Sequence, residues 1–269
     1  MTAFPRSWLF TPGSRPDRFA KAVATITDAL ILDLEDAVAE DNKLQARQNV
    51  AAFLETVPVI RQRIAVRINS LRRAIGLEDL IALARLANAP DYILLPKAED
   101  DADFVIAADI LTDCGSRAQL LALVESARGV AHAATIAAST PRLAGLMFGA
   151  ADYAADLGQQ VGPFRPDFAR ATIANAAASG AMPAIDSPCF AIDDSDALEA
   201  ECSQARAFGF IGKAAIHPAQ LEVISHHFHA SASERELASR IIAAAPDGVG
   251  VLDGKMIDIA MIRWARRMV

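Results

Sequence analysis

At 269 residues, 53% of them hydrophobic, the chain can bury one full core, and a single barrel of roughly 250 residues would use nearly all of it. A formal charge of −7 and a pI near 5.3 exclude a nucleic-acid surface, whose affinity comes from clustered Lys and Arg meeting phosphates. No apolar run reaches the ~18 residues of a membrane span, and Pro12 and Gly13 interrupt the brief Trp8-Leu9-Phe10 stretch that a signal peptide would need to extend. Cys114, Cys189 and Cys202 form no Cys-x-x-Cys pair, which speaks against a disulfide framework or a zinc site. A soluble, cytoplasmic protein is expected.

In chain order, eight short apolar runs end in charged or turn-forming residues, and helix-like stretches follow them. The runs are Ser7 to Gly13, Ala29 to Asp36, Arg63 to Asn69, Tyr92 to Glu99, Gln119 to Ser126, Gly145 to Tyr153, Met182 to Cys189 and Gly209 to Ile216. Between them, segments such as Asp41 to Leu54 and Leu77 to Leu86 repeat apolar residues at three- and four-residue intervals, the period of an amphipathic helix. Eight strands alternating with helices predict an α/β fold, a closed parallel (β/α)8 barrel of the TIM type with right-handed crossovers, over residues 1–217. After it, Pro218 to His229, Glu234 to Ala245 and Lys255 to Met268 read as helices broken at Pro246-Asp247-Gly248 and Asp253-Gly254, giving a C-terminal helical cap over residues 218–269.

Charges fall at strand ends: Asp33, Glu35 and Asp36, then Arg67 and Asn69, Lys97 and Glu99, Glu125, Asp152, Asp186 and Lys213. That rim is where barrels of this type hold their active sites. In Ile64 to Asn69, strand alternation puts Arg67 and Asn69 on one face and Ile64, Val66 and Ile68 on the other, so Arg67 is expected to point inward. Asp33 and Glu35, and Lys97 and Glu99, share faces in the same way.

Several of these groups have two readings. Glu125 and Asp152 end neighbouring runs, and two adjacent carboxylates suit Mg²⁺, a hard cation that keeps waters and takes further oxygens from substrate; they equally suit bonds to Arg or backbone. Arg67 is either a charged donor to an oxygen where negative charge develops or half of an ion pair with Glu35 or Asp36. Glu35 and Asp36 either orient waters or cap the following helix. Arg15, Arg18 and Lys21 after the first run either bind phosphate or form an ordinary charged helix face. His226, His227 and His229 read as a solvated helix face, since only His226 and His229 lie on one side. His217-Pro218 reads as a helix start, and Gly145, Gly149 and Gly158 make no nucleotide-binding fingerprint.

With these segments assembled, the chain resembles the citrate lyase beta-subunit-like proteins of the HpcH/HpaI aldolase/citrate lyase family along nearly its whole length. The resemblance rests on Arg6-Ser7, Leu9-Phe10-Thr11-Pro12-Gly13-Ser14-Arg15-Pro16, Leu32-Asp33-Leu34-Glu35-Asp36-Ala37-Val38, Val66-Arg67-Ile68-Asn69 and Leu95-Pro96-Lys97. It continues in Val124-Glu125-Ser126-Ala127-Arg128-Gly129, Phe148-Gly149-Ala150-Ala151-Asp152-Tyr153, Ile216-His217-Pro218 and Gly254-Lys255-Met256-Ile257-Asp258. Many segments in this order are far more specific than any one of them.

The resemblance implies that Glu125 and Asp152 hold Mg²⁺, that Glu35 and Asp36 hold metal-bound waters, and that Arg67, Glu125, Arg15 and Lys97 meet substrate or CoA. It implies a catalytic role for Arg67 and for Asp258, the latter reaching a neighbouring subunit's site, and therefore a homo-oligomer, expected as a trimer. The implied activity is carbon-carbon cleavage of a malyl-, citramalyl- or citryl-CoA to an acyl-CoA and a keto acid. Three others stay open: malyl-CoA hydrolysis or malate synthesis, a CoA-independent hydroxy-acid aldolase, and a citrate lyase beta subunit that needs partner subunits.

Overall fold

The computed structural model describes residues 4–57, 60–160, 164–266 and 268–269. Eight parallel strands close into a barrel in sequential order: β1 (Ser7–Pro12), β2 (Ala29–Asp33), β3 (Arg63–Arg67), β4 (Tyr92–Leu95), β5 (Gln119–Val124), β6 (Leu143–Phe148), β7 (Ala184–Asp186) and β8 (Gly212–Ala215). The helices that alternate with them are α1 (Phe19–Val23), α2 (Lys43–Thr56), α3 (Ala74–Ala84), α4 (Asp101–Asp113), α5 (Ala127–Ala137), α6 (Ala150–Asp156), α7 (Asp167–Ser179) and α8 (Ser195–Phe208). Ser7 to Leu9 of β1 pair with Lys213 to Ala215 of β8 and close the ring.

Period-two alternation sorts the strand residues into two cores. Trp8, Ala29, Ile31, Ala65, Tyr92, Leu94, Leu121, Leu123, Met147, Ile185 and Ala214 pack inside the barrel. Their sequence neighbours, such as Leu30, Leu32, Ile64, Val66, Ile93 and Leu146, pack against the helices. Phe4, Trp8 and Tyr92 meet with ring centroids 5.6 to 5.8 Å apart and fill the interior at the strand starts.

The strands are shorter than the apolar runs suggest: the ladders of β2 and β3 end at Asp33 and Arg67, and those of β4, β5 and β6 end at the apolar Leu95, Val124 and Phe148, before the charges that follow. Asp36, Asn69, Glu99 and Glu125 therefore lie in the loops beyond the strands, and Asp152 lies in the first turn of α6 rather than on a strand. Asp186 and Lys213 take the opposite course from the rim charges. Both follow interior-facing or barrel-closing positions by one residue and turn outward, into the layer between β7, β8 and the helices. There Lys213 Nζ meets Asp186 Oδ2 at 2.7 Å and Glu201 Oε2 at 2.8 Å, while Arg170 of α7 grips Asp186 at 3.0 and 3.2 Å. Burial opposes both charges, yet Lys213 and Arg170 hold the Asp186 carboxyl below its ordinary range and the carboxylates hold the Lys213 ammonium above its own.

The chain divides into two compact units, residues 1–228 and 229–269. A 3₁₀ turn (Pro218–Gln220) and α9 (Leu221–Phe228) stay with the barrel, because Leu221, Ile224 and Phe228 are buried in its outer core, whereas the sequence suggests a boundary at 217/218. His217 caps that turn by accepting the Ala219 N–H, as a helix start. In the second unit, α10 (Ala232–Ala244), β9 (Gly250–Leu252), β10 (Lys255–Ile257) and α11 (Ile259–Ala265) enclose Ala238, Ile241, Ala245, Ile257, Ile262 and Ala265. Residues 250–257 thus form an antiparallel hairpin where the sequence suggests that a helix begins at Lys255. Its two-residue loop, Asp253-Gly254, has φ of 51° and 76°, the paired left-handed conformation of a type I′ turn. No helix among the described residues is long and apolar enough to cross a membrane.

Removing one partner from a buried ion network leaves the other charges uncompensated, at a cost of about 3 kcal/mol or more. Lys213→Ala is therefore expected to lower the unfolding free energy by about that much in urea titrations; a loss under about 1 kcal/mol would show that the cluster contributes little to stability.

Candidate active site

The rim site begins with Asp33, the last residue of β2. Its carboxylate accepts two bonds from Arg67, Nε to Oδ1 at 2.7 Å and NH2 to Oδ2 at 2.6 Å, and two more from the backbone N–H groups of Glu35 and Ala37. Those four bonds fix both the Arg67 guanidinium and the loop that carries Glu35. Arg67 also approaches Glu35 Oε2 at 3.1 Å and stacks over the Phe10 ring at 5.0 Å. Of the two ion-pair partners that the sequence suggests for Arg67, Glu35 is met and Asp36 is replaced by Asp33. The signal was present, since Asp33 pairs in register with Arg67 across β2 and β3.

A further layer holds the same loop from behind. Lys43 of α2 is buried and donates to the carbonyls of Leu34 and Glu35 and to Asn69 Oδ1, while Asn69 donates to the Leu34 carbonyl and to Asp79. Asp79 is in turn paired with Arg47 at 2.6 Å. Asn69, at the rim, thus positions the backbone next to Glu35.

Around the Lys97 ammonium stand four carboxylates: Asp152 at 3.1 Å, Asp36 at 3.2 Å, Glu35 at 3.5 Å and Glu125 at 3.6 Å. The Lys97 backbone N–H also donates to Glu125 Oε1 at 2.8 Å. Glu125 and Glu35 are buried, whereas Asp36 and Asp152 are exposed on the outer side. Burial pushes the Glu125 carboxyl up to about 8 against the pull of Lys97, and the Glu35 carboxyl up to about 7 against Arg67 and Lys97. Burial works against the Lys97 charge, but Glu125, Glu35 and Asp152 raise its pKa above the ordinary lysine value. Glu99 stays outside this group, bonded to Ser126 and Arg72.

Gly149, which caps α6, leaves room for this arrangement. A Cβ there would stand 2.6 Å from Glu125 Cβ and 2.7 Å from its Oε2. The site lines a cavity of about 270 Å³ with Phe10, Asp33, Arg67, Glu125, Asp152 and Phe190 among its walls. A second cavity of about 550 Å³ shares Phe10, Asp33, Ala37 and Ile216 with it and carries Arg15, Arg18 and Lys21. In that cavity Arg15 is exposed and held by Asp17 at 2.8 Å. A larger cavity, about 1250 Å³, opens at the strand starts around Tyr92 and Pro183, at the end of the barrel away from these carboxylates.

The donor set fits a hard divalent cation. Oxygens of one buried and one exposed carboxylate, Glu125 and Asp152, converge on a point already occupied by positive charge, and Glu35 Oε2 is buried without a hydrogen bond. Among the described residues no three His, Cys, Asp or Glu side chains form a ready-made cage. That suits Mg²⁺, which commonly takes one or two carboxylates and completes its shell with water and substrate. Asp258 lies in the second unit, where its Oδ1 caps α11 by accepting the N–H groups of Ala260 and Met261 at 2.9 and 3.1 Å. His226 to His229 join no metal-binding group among the described residues.

Two outcomes are expected from this geometry. Gly149→Ala should displace the Glu125 carboxylate and weaken Mg²⁺ binding by about tenfold or more in calorimetry, with the circular dichroism of the barrel retained; unchanged affinity would dismiss the contact. In chelator, the folded protein holds protons on Glu35 and Glu125 that the unfolded chain releases above its ordinary carboxyl pKa, so this contribution to stability falls as pH rises from about 5 to 8. The melting temperature should fall over that range, and Glu125→Gln should flatten the slope; parallel slopes in the two proteins would contradict it.

Comparison with known proteins places the chain in a family. Residues 6–218 match the family described as HpcH/HpaI aldolase/citrate lyase, and residues 170–269 match a carbon-carbon bond lyase family of the TIM-barrel fold. The chain is 39% identical to a (3S)-malyl-CoA thioesterase of Cereibacter sphaeroides over 97% of its own length and 92% of the relative's. It is 34% identical to an L-malyl-CoA/beta-methylmalyl-CoA lyase of the same species, covering 98% and 93%. The crystal structure of protein CitE from Mycobacterium tuberculosis in complex with magnesium, acetoacetate and coenzyme A superposes with a TM-score of 0.81 at 36% identity, over 100% of this chain and 98% of that one. By sequence and by fold, the chain belongs to the HpcH/HpaI aldolase/citrate lyase family.

Proposed function

We propose that the chain is a magnesium-dependent carbon-carbon lyase that cleaves a 3-hydroxyacyl-CoA of the malyl-, citramalyl- or citryl-CoA type into an acyl-CoA and a 2-oxo acid. The observation that carries this reading is the convergence of Glu125, Asp152 and Arg67 on one small cavity that adjoins a basic one. Glu125 and Asp152 would hold Mg²⁺, which supplies Lewis-acid polarisation of the oxygen that becomes the carbonyl. Glu35 and Asp36 stand beside them and would accept hydrogen bonds from water around the ion.

Retro-Claisen cleavage removes the proton of the 3-hydroxyl, breaks the bond between carbons 2 and 3, and leaves the electron pair as the thioester enolate, which is then protonated. Its barrier falls when donors are already aimed at the oxygens whose charge changes. Arg67 meets that requirement: Asp33 holds its guanidinium in place, and the residue lines the cavity. Arg15, Arg18 and Lys21 line the adjoining cavity, where CoA phosphates would find charge-assisted bonds.

Asp258 is assigned the proton transfer at the thioester α-carbon. One carboxylate oxygen is fixed as a helix cap, which leaves Oδ2, without a hydrogen-bond partner among the described residues, to meet a substrate. Its delivery from a neighbouring subunit of a homotrimer is supported by the exposed Val249, Val251, Met256, Ile259 and Trp264 of the second unit, apolar surface suited to a neighbouring chain. Activity in the cytoplasm accords with CoA esters as substrates.

A second reading, hydrolysis of the malyl-CoA thioester, is favoured by the 39% identity to the thioesterase relative. The purified protein should be incubated with Mg²⁺ and each CoA ester, and all products identified by mass spectrometry. A 2-oxo acid with a shortened acyl-CoA is expected; free CoA with the intact hydroxy acid would replace the lyase reading by the thioesterase one. No turnover would overturn both and favour a partner-dependent subunit or an aldolase of free hydroxy acids. In the same assay Arg67→Met should lower kcat by about 10²- to 10³-fold, and full activity would remove Arg67 from the mechanism.

A further inference from the structure

Lys97 does more at this rim than its place in the sequence requires. Its ammonium lies within 3.6 Å of Glu35, Asp36, Glu125 and Asp152 together. The residue sits in the loop between β4 and α4 with a φ of 53°, a left-handed conformation uncommon outside glycine. That conformation aims the backbone N–H at Glu125 Oε1 and the side chain back across the same carboxylate. Glu125 is thereby held twice by one residue, once through a backbone bond and once through a side chain that is 38% exposed.

We propose that Lys97 is an internal placeholder for the divalent cation: its ammonium keeps the four carboxylates gathered in the metal-free protein and withdraws from Glu125 and Asp152 when the metal enters. The inference rests on the reading of Glu125 and Asp152 as metal ligands. A Mg²⁺ ion lies about 2.0–2.1 Å from its ligand oxygens, so it cannot share those oxygens with an ammonium bonded to them without two like-charged centres meeting at contact distance. The backbone bond from Lys97 keeps Glu125 aligned throughout the exchange, and exposed Asp36 gives the departing ammonium a partner at the solvent edge. Metal binding is then an exchange of one cation for another, and its affinity is set below what the carboxylates alone would give.

The test is calorimetric titration of Mg²⁺ into metal-free wild type, Lys97→Met and Glu125→Gln, each checked for folding by circular dichroism. The expected result is that Lys97→Met binds Mg²⁺ more tightly than wild type by about tenfold or more, whereas Glu125→Gln binds weakly or not at all. Equal or weaker binding by folded Lys97→Met overturns the placeholder while leaving the metal site standing. Absence of binding by both wild type and Lys97→Met overturns the metal site and the placeholder together. Should Lys97→Met fail to fold, the wild-type protein with ¹³C-dimethylated lysines carries the test by NMR. The Lys97 signal, identified by its loss in Lys97→Arg, should shift in step with Mg²⁺ binding, and a signal unmoved at saturation overturns the proposal.

Discussion

Four carboxylates cannot crowd one stretch of rim without positive charge among them, and much of the rim is arranged to meet that constraint. Two cations enter it from different sides. Arg67 is clamped by Asp33 and reaches Glu35, and Lys97 reaches Glu35, Asp36, Glu125 and Asp152. The scaffold behind them is also ionic or amide-based: Lys43, Asn69, Asp79 and Arg47 form a continuous chain that fixes the loop after β2. Every link holds a neighbour that would otherwise move. Preorganisation of this kind is what lets a catalytic donor act without rearranging at the moment of reaction.

The same residue types on the other face of the sheet do something different. Asp186, Lys213 and Arg170 are as buried as the rim's inner carboxylates and form an ion network with the partly exposed Glu201, but it is closed: Asp186 meets two cations and Lys213 two carboxylates. At the rim the balance is left in deficit, with more carboxylates than cations and with Glu35 Oε2 lacking a hydrogen bond. A balanced network stabilises the contact between strands and helices. An unbalanced one asks for a ligand, and this difference, rather than burial or charge count, distinguishes the site from the scaffold.

The barrel was legible because each strand must supply apolar residues to both faces, so eight runs stand out against the amphipathic helices. The ends of those runs were less legible. Apolar residues continue past the ladder, as in Gly145 to Tyr153, where β6 and α6 read as one run and only Gly149 marks the break. Alternation placed Arg67 correctly, yet it could not tell that Asp33 outcompetes Asp36 for it, since that depends on cross-strand register. The outward turn of Asp186 and Lys213 follows from the same alternation, applied to strands only three and four residues long. In the C-terminal segment, Asp253-Gly254 between Val251-Leu252 and Met256-Ile257 carries a hairpin signature, but it was read as a break between helices. The position of Glu125 and Asp152 at the ends of neighbouring runs suggests a metal pair but fits a structural pair equally, so whole-chain resemblance decides between the two readings, and the role of Asp258 rests on resemblance alone.

The division of the chain into two compact units has an optical consequence. There are two tryptophans in the whole sequence, and each unit holds one. Trp8 is fully enclosed in the barrel floor with its indole N–H donating to the Pro5 carbonyl, whereas Trp264 on α11 is 38% exposed. Their emission is therefore separable by wavelength, blue for the enclosed ring and red for the wetted one. Fluorescence from the unmodified chain reports the barrel and the C-terminal unit as two channels, so melting, dilution or association that affects one unit leaves its trace in one part of the spectrum.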